Sequence, residues 1–353
     1  MHITFLVYRL RRDRLATTEF YRQDIEILQS LGYEVTIATR LREVPRKTNL
    51  VFLWWWNWLW FVGPILKLRG LPICVTGSLD PELYLKKPWY FRILVRWGMR
   101  FADRSVFVSR HMIRRLSEIM QLDNPLYCPH IVMDEYQLPD ANNTREMPHV
   151  IFNVAWKKIG NVKRKMLPEL IDAFAIVKRE FPQARLALAG EPLDGQAALE
   201  RQARKLGVNE AVDFMGKVSK ETKIHFMQNC GAYFQCSHHE GFGLALAEAM
   251  ACGAPVIINR KTAIPEVVGE CGYYVLDESP ESIARTLIKT LRHQEAARDI
   301  GRQAAMRVDR EFRFERRKLF LGNLLSAMIS QFSRPQALPE NKNKHDDLAR
   351  TAA

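Results

Sequence analysis

Short apolar runs and longer stretches of helical spacing alternate along this chain of 353 residues from one end to the other. Ile3–Tyr8, Glu34–Thr39, Leu50–Leu53, Ile73–Thr76 and the apolar part of Ala102–Ser109 read as strands of one group. Val150–Val154, Leu186–Ala189, Val212–Phe214, Tyr233–Phe234, Pro255–Ile258 and Gly272–Val275 read as a second. Between them lie predicted helices. One runs from about Thr17 to Leu31, with Phe20, Ile25, Leu28 and Leu31 on a face that ends at Gly32. Others start at Leu167, with Pro168 in the first turn, at Leu244, and at about Ser279 and Glu295. Strands separated by helices predict parallel α/β sheets. Two such groups predict two Rossmann-like domains.

The polar stretch Pro139–Thr144 marks the linker between them, which divides the chain into domains at 1–145 and 146–310. A basic amphipathic helix over Phe312–Ile329, within a segment 311–330, is expected to return to the first domain; residues 331–353 are polar and are expected to be a disordered tail.

Two departures from this rhythm stand in the first half. Val51–Leu66 holds Trp54, Trp55, Trp56, Trp58 and Trp60, interrupted by Asn57, Gly63 and Pro64, and is too short for a bilayer span of roughly 20 apolar residues. Core packing, an acceptor groove and a lipid headgroup interface all suit these indoles. Further on, Arg92, Arg96 and Arg100 recur every fourth residue beside Trp89 and Trp97, after Lys86 and Lys87. A basic stripe flanking an apolar one is the pattern of a helix lying on an anionic membrane, and equally of a surface helix packed on its sheet.

Composition narrows the function. Hydrophobic residues make up 47% of the chain, enough for two cores, and the net charge of +13 favours an anionic partner. Without a zinc finger, RNP strand or basic zipper, nucleic acid is not expected. Six cysteines without a Cys-x-x-Cys pair suggest reduced core thiols, and no signal peptide is evident, so a cytoplasmic location is expected. The sequon Asn142-Asn143-Thr144 is then incidental. The loop after the first strand is arginine-rich, with Arg9, Arg11, Arg12 and Arg14, of which Arg11 and Arg12 are the acceptor candidates, and this suits a negatively charged acceptor or simply a solvated basic loop.

The densest chemistry lies in Ser237–Val268. Gly241 and Gly243 bring backbone amides close to a ligand, and the helix from Leu244 aims its positive end at the same place, which makes a phosphate cradle. Glu240 precedes the turn. Glu248 follows it by just over one helical turn, placed to accept from two sugar hydroxyls. Fixed cations beside such a cradle would add to its hold on a phosphate group. The run Lys157–Lys165, read as a basic loop, supplies candidates in Lys163, Arg164 and Lys165.

Glu240-x7-Glu248, Glu-Gly-Phe-Gly-Leu at 240–244, Glu-Ala-Met-Ala-x-Gly-x-Pro-Val-Ile at 248–257 and Ile-Pro-Glu-Val-Val-Gly at 264–269 resemble the signature of the family 4 retaining glycosyltransferases. The resemblance implies a GT-B fold, two Rossmann-like domains facing a cleft, with acceptor bound by the first and nucleotide sugar by the second. It implies catalytic roles for Glu240, Lys165 and Arg164, the last standing in for an arginine usually five residues before the lysine, where this chain has Gly160. Gly241, Phe242, Gly243, Leu244, Glu248, Gly216, Lys217 and Val218 become donor-binding candidates. Many relatives carry a histidine after the strand ending at Thr76; here Gly77 follows, and Asp80 is the substitute candidate, a helix cap being its plainer role. No metal or other cofactor is expected. The expected partners are a nucleotide-sugar donor, a glycan or lipid-linked acceptor and an anionic membrane surface, as in lipopolysaccharide or exopolysaccharide assembly. The alternative is a non-catalytic sugar-nucleotide or membrane-surface binding protein of the same fold.

Overall fold

The structure, a computed structural model, describes residues 1–139 and 146–333. The first sheet is built from β1 (His2–Leu6), β2 (Glu34–Ala38), β3 (Leu50–Trp54), β4 (Ile73–Gly77), β5 (Arg104–Phe107) and β6 (Pro125–Tyr127), in the order β2-β1-β3-β4-β5-β6. The second comprises β7 (Met147–Val154), β8 (Arg185–Ala189), β9 (Val212–Gly216), β10 (Cys230–Phe234), β11 (Val256–Ile258) and β12 (Tyr273–Tyr274), in the order β12-β11-β10-β7-β8-β9. Every described strand pair is parallel. Helices cover both faces, so central strands such as β3 and β10 are buried at every residue. Strand order reverses between β1 and β3 and again between β7 and β10. Loops leaving the carboxyl ends of strands at such a reversal form a crevice where open α/β sheets hold ligands.

Several boundaries differ from expectation. The helix predicted from about Thr17 to Leu31 runs Glu19–Ser30, and a separate short helix, Arg12–Thr17, precedes it because Thr18 adopts an extended conformation (φ −99°, ψ 116°). The arginine-rich segment is therefore helical from Arg12 onward, with Asp13 in its first turn. Gly32, at φ +80°, does end the second helix as expected. The tryptophan run is divided: Trp54 and Trp56 are buried, while Trp58 and Trp60 at the start of helix Leu59–Leu68 are half-buried. The basic loop of 157–165 is largely the helix Ile159–Arg164.

The last helix spans Phe314–Ser333 and lies on the first domain. Leu321, Leu325, Met328 and Ile329 join Ile3, Phe5, Ile27 and Leu28 in one apolar cluster. Beside them Arg317 is buried and donates to both oxygens of buried Asp24, at 2.7 and 3.0 Å, and to the carbonyls of Cys128 and Pro129. Gln331–Ser333 finish this helix rather than open a tail; the rest of the tail, the sequon and the linker beyond Pro139, with its boundary at 145, lie outside the described residues.

Candidate active site between the two sheets

The loop after β10 reaches the helix Leu244–Ala251 through Gly243, whose φ of +99° admits no side chain without strain. No side chain caps this helix start, so its first amides face the loop. A Cβ on Gly241 would collide with Ser78 Oγ, just after β4, so only glycine lets the two domains meet there. The Phe242 ring turns into the domain interface, edge-on to His130 at 5.6 Å and Phe312 at 5.4 Å. Any contact of Phe242 with a donor is left to its backbone.

Three loops fix the carboxylate of Glu240. Ser237 donates to the carbonyls of Arg164 and His239 at 3.0 and 2.9 Å, and the Glu240 amide donates to Thr262 Oγ1 at 3.0 Å. Arg164 donates to the carbonyl of His239 at 2.6 Å and to Glu240 Oε2 at 3.2 Å, while Lys165 Nζ reaches the same Oε2 at 2.5 Å. Both cations sequence reasoning selected thus converge on the acid it selected, across 75 or 76 residues of chain. Lys163 is exposed and takes no part. Burial alone would raise the pKa of Glu240, yet Lys165 and Arg164 hold it below the ordinary carboxylate range. Burial lowers the pKa of Lys165, with Glu240 opposing and Arg164 adding to the effect. Met166 and Thr262, at φ +52° and +53°, are non-glycine residues in left-handed backbone on either side of this cluster.

Glu248 is buried on the helix and accepts from Lys223 Nζ at 3.0 Å. Its pKa is raised by burial, which Lys223 only partly offsets. Gly216 ends β9 in left-handed backbone (φ +66°) and accepts from the Gly190 amide; Lys217 beyond it is exposed and Val218 half-buried against the core.

Asp80 is a helix cap, accepting from the amides of Glu82 and Leu83 at 3.0 Å each, and it also lines a crevice with Glu240, Gly241 and Thr262. That crevice holds only about 10 Å³, room for roughly one water. Arg11 and Arg12, proposed for an anionic acceptor, are paired with Asp13 and Glu43. Their neighbours are directed elsewhere: the Arg9 guanidinium lies over the Trp58 ring and that of Arg14 over Trp156 of the second domain.

The helix carrying the arginine stripe is Trp89–Met99. Its apolar stripe faces outward, Trp89 being 68% exposed, Ile93 54% and Trp97 43%. Arg96 donates to the carbonyl of Ile119. Among the described residues no helix is long and apolar enough to cross a membrane, and no three His, Cys, Asp or Glu side chains are grouped to hold a metal ion.

The sequence did not point to four further residues. His239 stands 3.9 Å from Asp80 Oδ1 and its Nδ1 is unpartnered and buried. His111 lines the same crevice. Glu266 reaches across the domains and accepts from the amides of Arg110 and His111, capping the helix Arg110–Ser117. Lys157 is buried with Nζ bonded to the carbonyls of Ala155, Leu188 and Ala189, and burial brings its pKa down to about 8. The signals that could have found them were the run Ser237-His238-His239-Glu240 for His239, the motif at 264–269 for Glu266 and the basic run from Lys157.

Residues 148–307 match the family described as Glycosyl transferases group 1. The chain is 26% identical over 315 residues to N-acetyl-alpha-D-glucosaminyl L-malate synthase of Bacillus anthracis, an alignment covering 82% of this chain and 78% of that one. It is 28% identical over 170 residues to O-antigen chain mannosyltransferase B of Escherichia coli, covering 46% and 44% of the two chains, so this likeness spans under half of that enzyme. Among solved structures, the Anabaena protein Alr3699/HepE in complex with UDP-glucose superimposes with a TM-score of 0.74 at 17% identity, covering 93% of this chain and 100% of that one. At that identity the likeness concerns the fold, which is GT-B.

Proposed function

We propose that this chain, a member of the glycosyl transferases group 1 family and so a glycosyltransferase, moves a sugar from a nucleoside diphosphate to a glycan or lipid-linked glycan hydroxyl, retaining the anomeric configuration. The observation that carries this reading is the convergence of Arg164 and Lys165 on Glu240 beside the uncapped start of the Leu244–Ala251 helix. The Anabaena structure, whose partner is UDP-glucose, supports the donor class. The O-antigen mannosyltransferase supports a role in surface polysaccharide assembly.

In the proposed reaction the bond from the anomeric carbon to the diphosphate oxygen breaks, and the acceptor oxygen bonds to that carbon on the same face. The leaving diphosphate oxygen takes the acceptor proton. No protein nucleophile, metal or cofactor enters the step. Arg164, Lys165 and the amides of Gly243 and Leu244 stabilise the charge that grows on the diphosphate. Glu240 orients the transferred sugar and Glu248 holds the ribose. Incubation with a panel of UDP- and GDP-sugars, with product configuration read by NMR, tests this. Nucleotide binding without turnover under any donor would instead favour a silent binding protein.

Loss of the ribose contact is measurable by itself. Glu248→Ala is expected to weaken donor binding by about ten- to a hundredfold, the worth of a hydrogen bond to a charged group. Calorimetric titration with UDP or GDP giving wild-type affinity would remove Glu248 from the site.

Membrane attachment is the second part of the reading. The outward Trp89, Ile93 and Trp97, flanked by exposed Lys86, Lys87, Arg96 and Arg100, fit a headgroup layer of anionic lipid. Co-sedimentation with phosphatidylglycerol vesicles is expected, and not with phosphatidylcholine vesicles. Each of Lys86→Ala, Lys87→Ala and Arg100→Ala should lower the partition about fivefold. Equal binding to both vesicle types would overturn the assignment.

A further inference from the structure

The crevice at the strand reversal of the first sheet is lined differently from the diphosphate cradle. Beyond β1 come Tyr8 and Arg9; beyond β3 come Trp55, Trp58, Trp60 and Phe61. Tyr8 meets Trp58 at 5.4 Å and Phe61 at 5.7 Å, Trp58 lies nearly parallel to Trp60 at 6.4 Å, and Trp60 meets Phe61 at 5.8 Å. These four rings form one patch. None of them is fully buried, although each is large enough to anchor a core.

Two features show that the patch is held in place rather than left over from packing. Arg9 (φ +62°) and Trp55 (φ +76°) are non-glycine residues in left-handed backbone, one at each lip of the crevice. Such conformations cost about 1–3 kcal/mol each and persist only where surrounding bonds impose them. Here the Arg9 amide donates to Thr39 O at 2.9 Å, the Trp55 amide to Thr76 O at 2.9 Å, and the Trp55 indole to Tyr21 at 2.6 Å. The Arg9 guanidinium lies 5.2 Å from the centre of the Trp58 ring, and among the described residues no acidic side chain is bonded to it. Trp55, three residues before Trp58, leads on to the site already described. Gly77 packs against Trp55, and the next residue, Ser78, touches Gly241.

We propose that Tyr8, Trp58, Trp60 and Phe61, with Arg9 above them, form the acceptor subsite, and that the acceptor is a sugar carrying a negatively charged group. This rests on the sugar-transfer reading for the word acceptor, though not for the binding itself. A pyranose presents C–H groups on its faces and hydroxyls around its edge. An indole face buries the former without desolvating the latter. Arg9 supplies what a neutral sugar would not need: a fixed planar cation matching a carboxylate or a phosphate in two-pronged fashion. Trp156 and Arg14, from the two sides of the cleft, stand in cation–π contact at 5.3 Å.

The test uses the full chain labelled with 5-fluorotryptophan and ¹⁹F NMR, with resonances assigned through Trp58→Phe and Trp60→Phe. Glucose, glucuronic acid and glucose 6-phosphate are titrated in turn. The Trp58 and Trp60 signals are expected to move with both charged sugars, at about tenfold lower concentration than with glucose, the value of a charge-assisted contact. Response to one charged sugar alone identifies carboxylate or phosphate as the group recognised. Arg9→Ala should erase the preference while leaving the other tryptophan signals, and hence the fold, in place. The proposal is overturned if neither resonance moves, or if glucose and the charged sugars act at equal concentration. UDP titrated separately reports the second domain, so failure of sugar transfer and failure of this subsite give different results.

Discussion

Lys165→Ala is expected to lower turnover by roughly 10²–10³-fold while the chain keeps most of its affinity for nucleotide, as removal of one preorganised charge-stabilising donor does elsewhere. The argument is electrostatic. Lys165 is buried, bonded to Glu240 at 2.5 Å, and backed by Arg164 3.2 Å from the same oxygen. In the proposed reaction negative charge moves toward these cations as the diphosphate leaves, and their water-poor setting makes the interaction strongest when that charge is greatest. Protonation gives a second readout. Burial lowers the pKa of Lys165, Glu240 opposing, so the cation is lost at lower pH than for an ordinary lysine. The rate should accordingly fall on the alkaline side before the usual lysine range. Lys165→Arg, charged throughout, should shift that fall to higher pH. Wild-type turnover in Lys165→Ala, or an unchanged alkaline limb in Lys165→Arg, would remove the lysine from the mechanism. Thermal unfolding of each variant separates a catalytic loss from a folding one, because removing one partner also leaves Glu240 buried with a single counter-charge.

Arg317→Ala carries the largest expected cost to stability. It strands Asp24 in the interior and frees the carbonyls of Cys128 and Pro129, and breaking a buried pair in this way costs about 3–5 kcal/mol. Thermal unfolding should move down by roughly 6–20 °C for a domain of this size. Replacing both members with apolar residues, Asp24→Leu with Arg317→Met, should recover much of the loss, since no lone charge then remains buried. An unchanged midpoint for Arg317→Ala would mean that Asp24 is neutral or wet in solution.

Most strands were legible because parallel strands covered on both faces are apolar runs, and the Leu244–Ala251 helix because its residues are strong helix formers; β6, short, half-buried and at the sheet edge, was not. The helix Ile159–Arg164 was not, since Gly160 and Asn161 are poor formers and what holds them is tertiary: Asn161 donates to the Trp156 carbonyl and accepts from Arg164. Glu240 was legible from its motif, and Arg164 and Lys165 from the resemblance, charge alone leaving Lys163 beside them. That all three share one oxygen was not, because no local pattern encodes a contact 75 residues long. Nor was the cap that Glu266 places on the helix Arg110–Ser117, more than 150 residues away. Arg11 and Arg12 were chosen for charge alone. Asp13 and Glu43 pair with them, while Arg9 and Arg14 are the two turned onto rings, of Trp58 and Trp156.

The return of the last helix to the first sheet also bears on the order in which the protein is made. Ile3 and Phe5 emerge from the ribosome long before Leu321 and Leu325, which cover them. At about 5–20 residues per second the amino-terminal half waits many seconds with that face uncovered, whereas the second sheet has all its strands in hand once Tyr274 is out. The later-synthesised half is thus the first able to complete itself. Nascent chains ending before Arg317 should leave the earlier half open to chaperones and proteases.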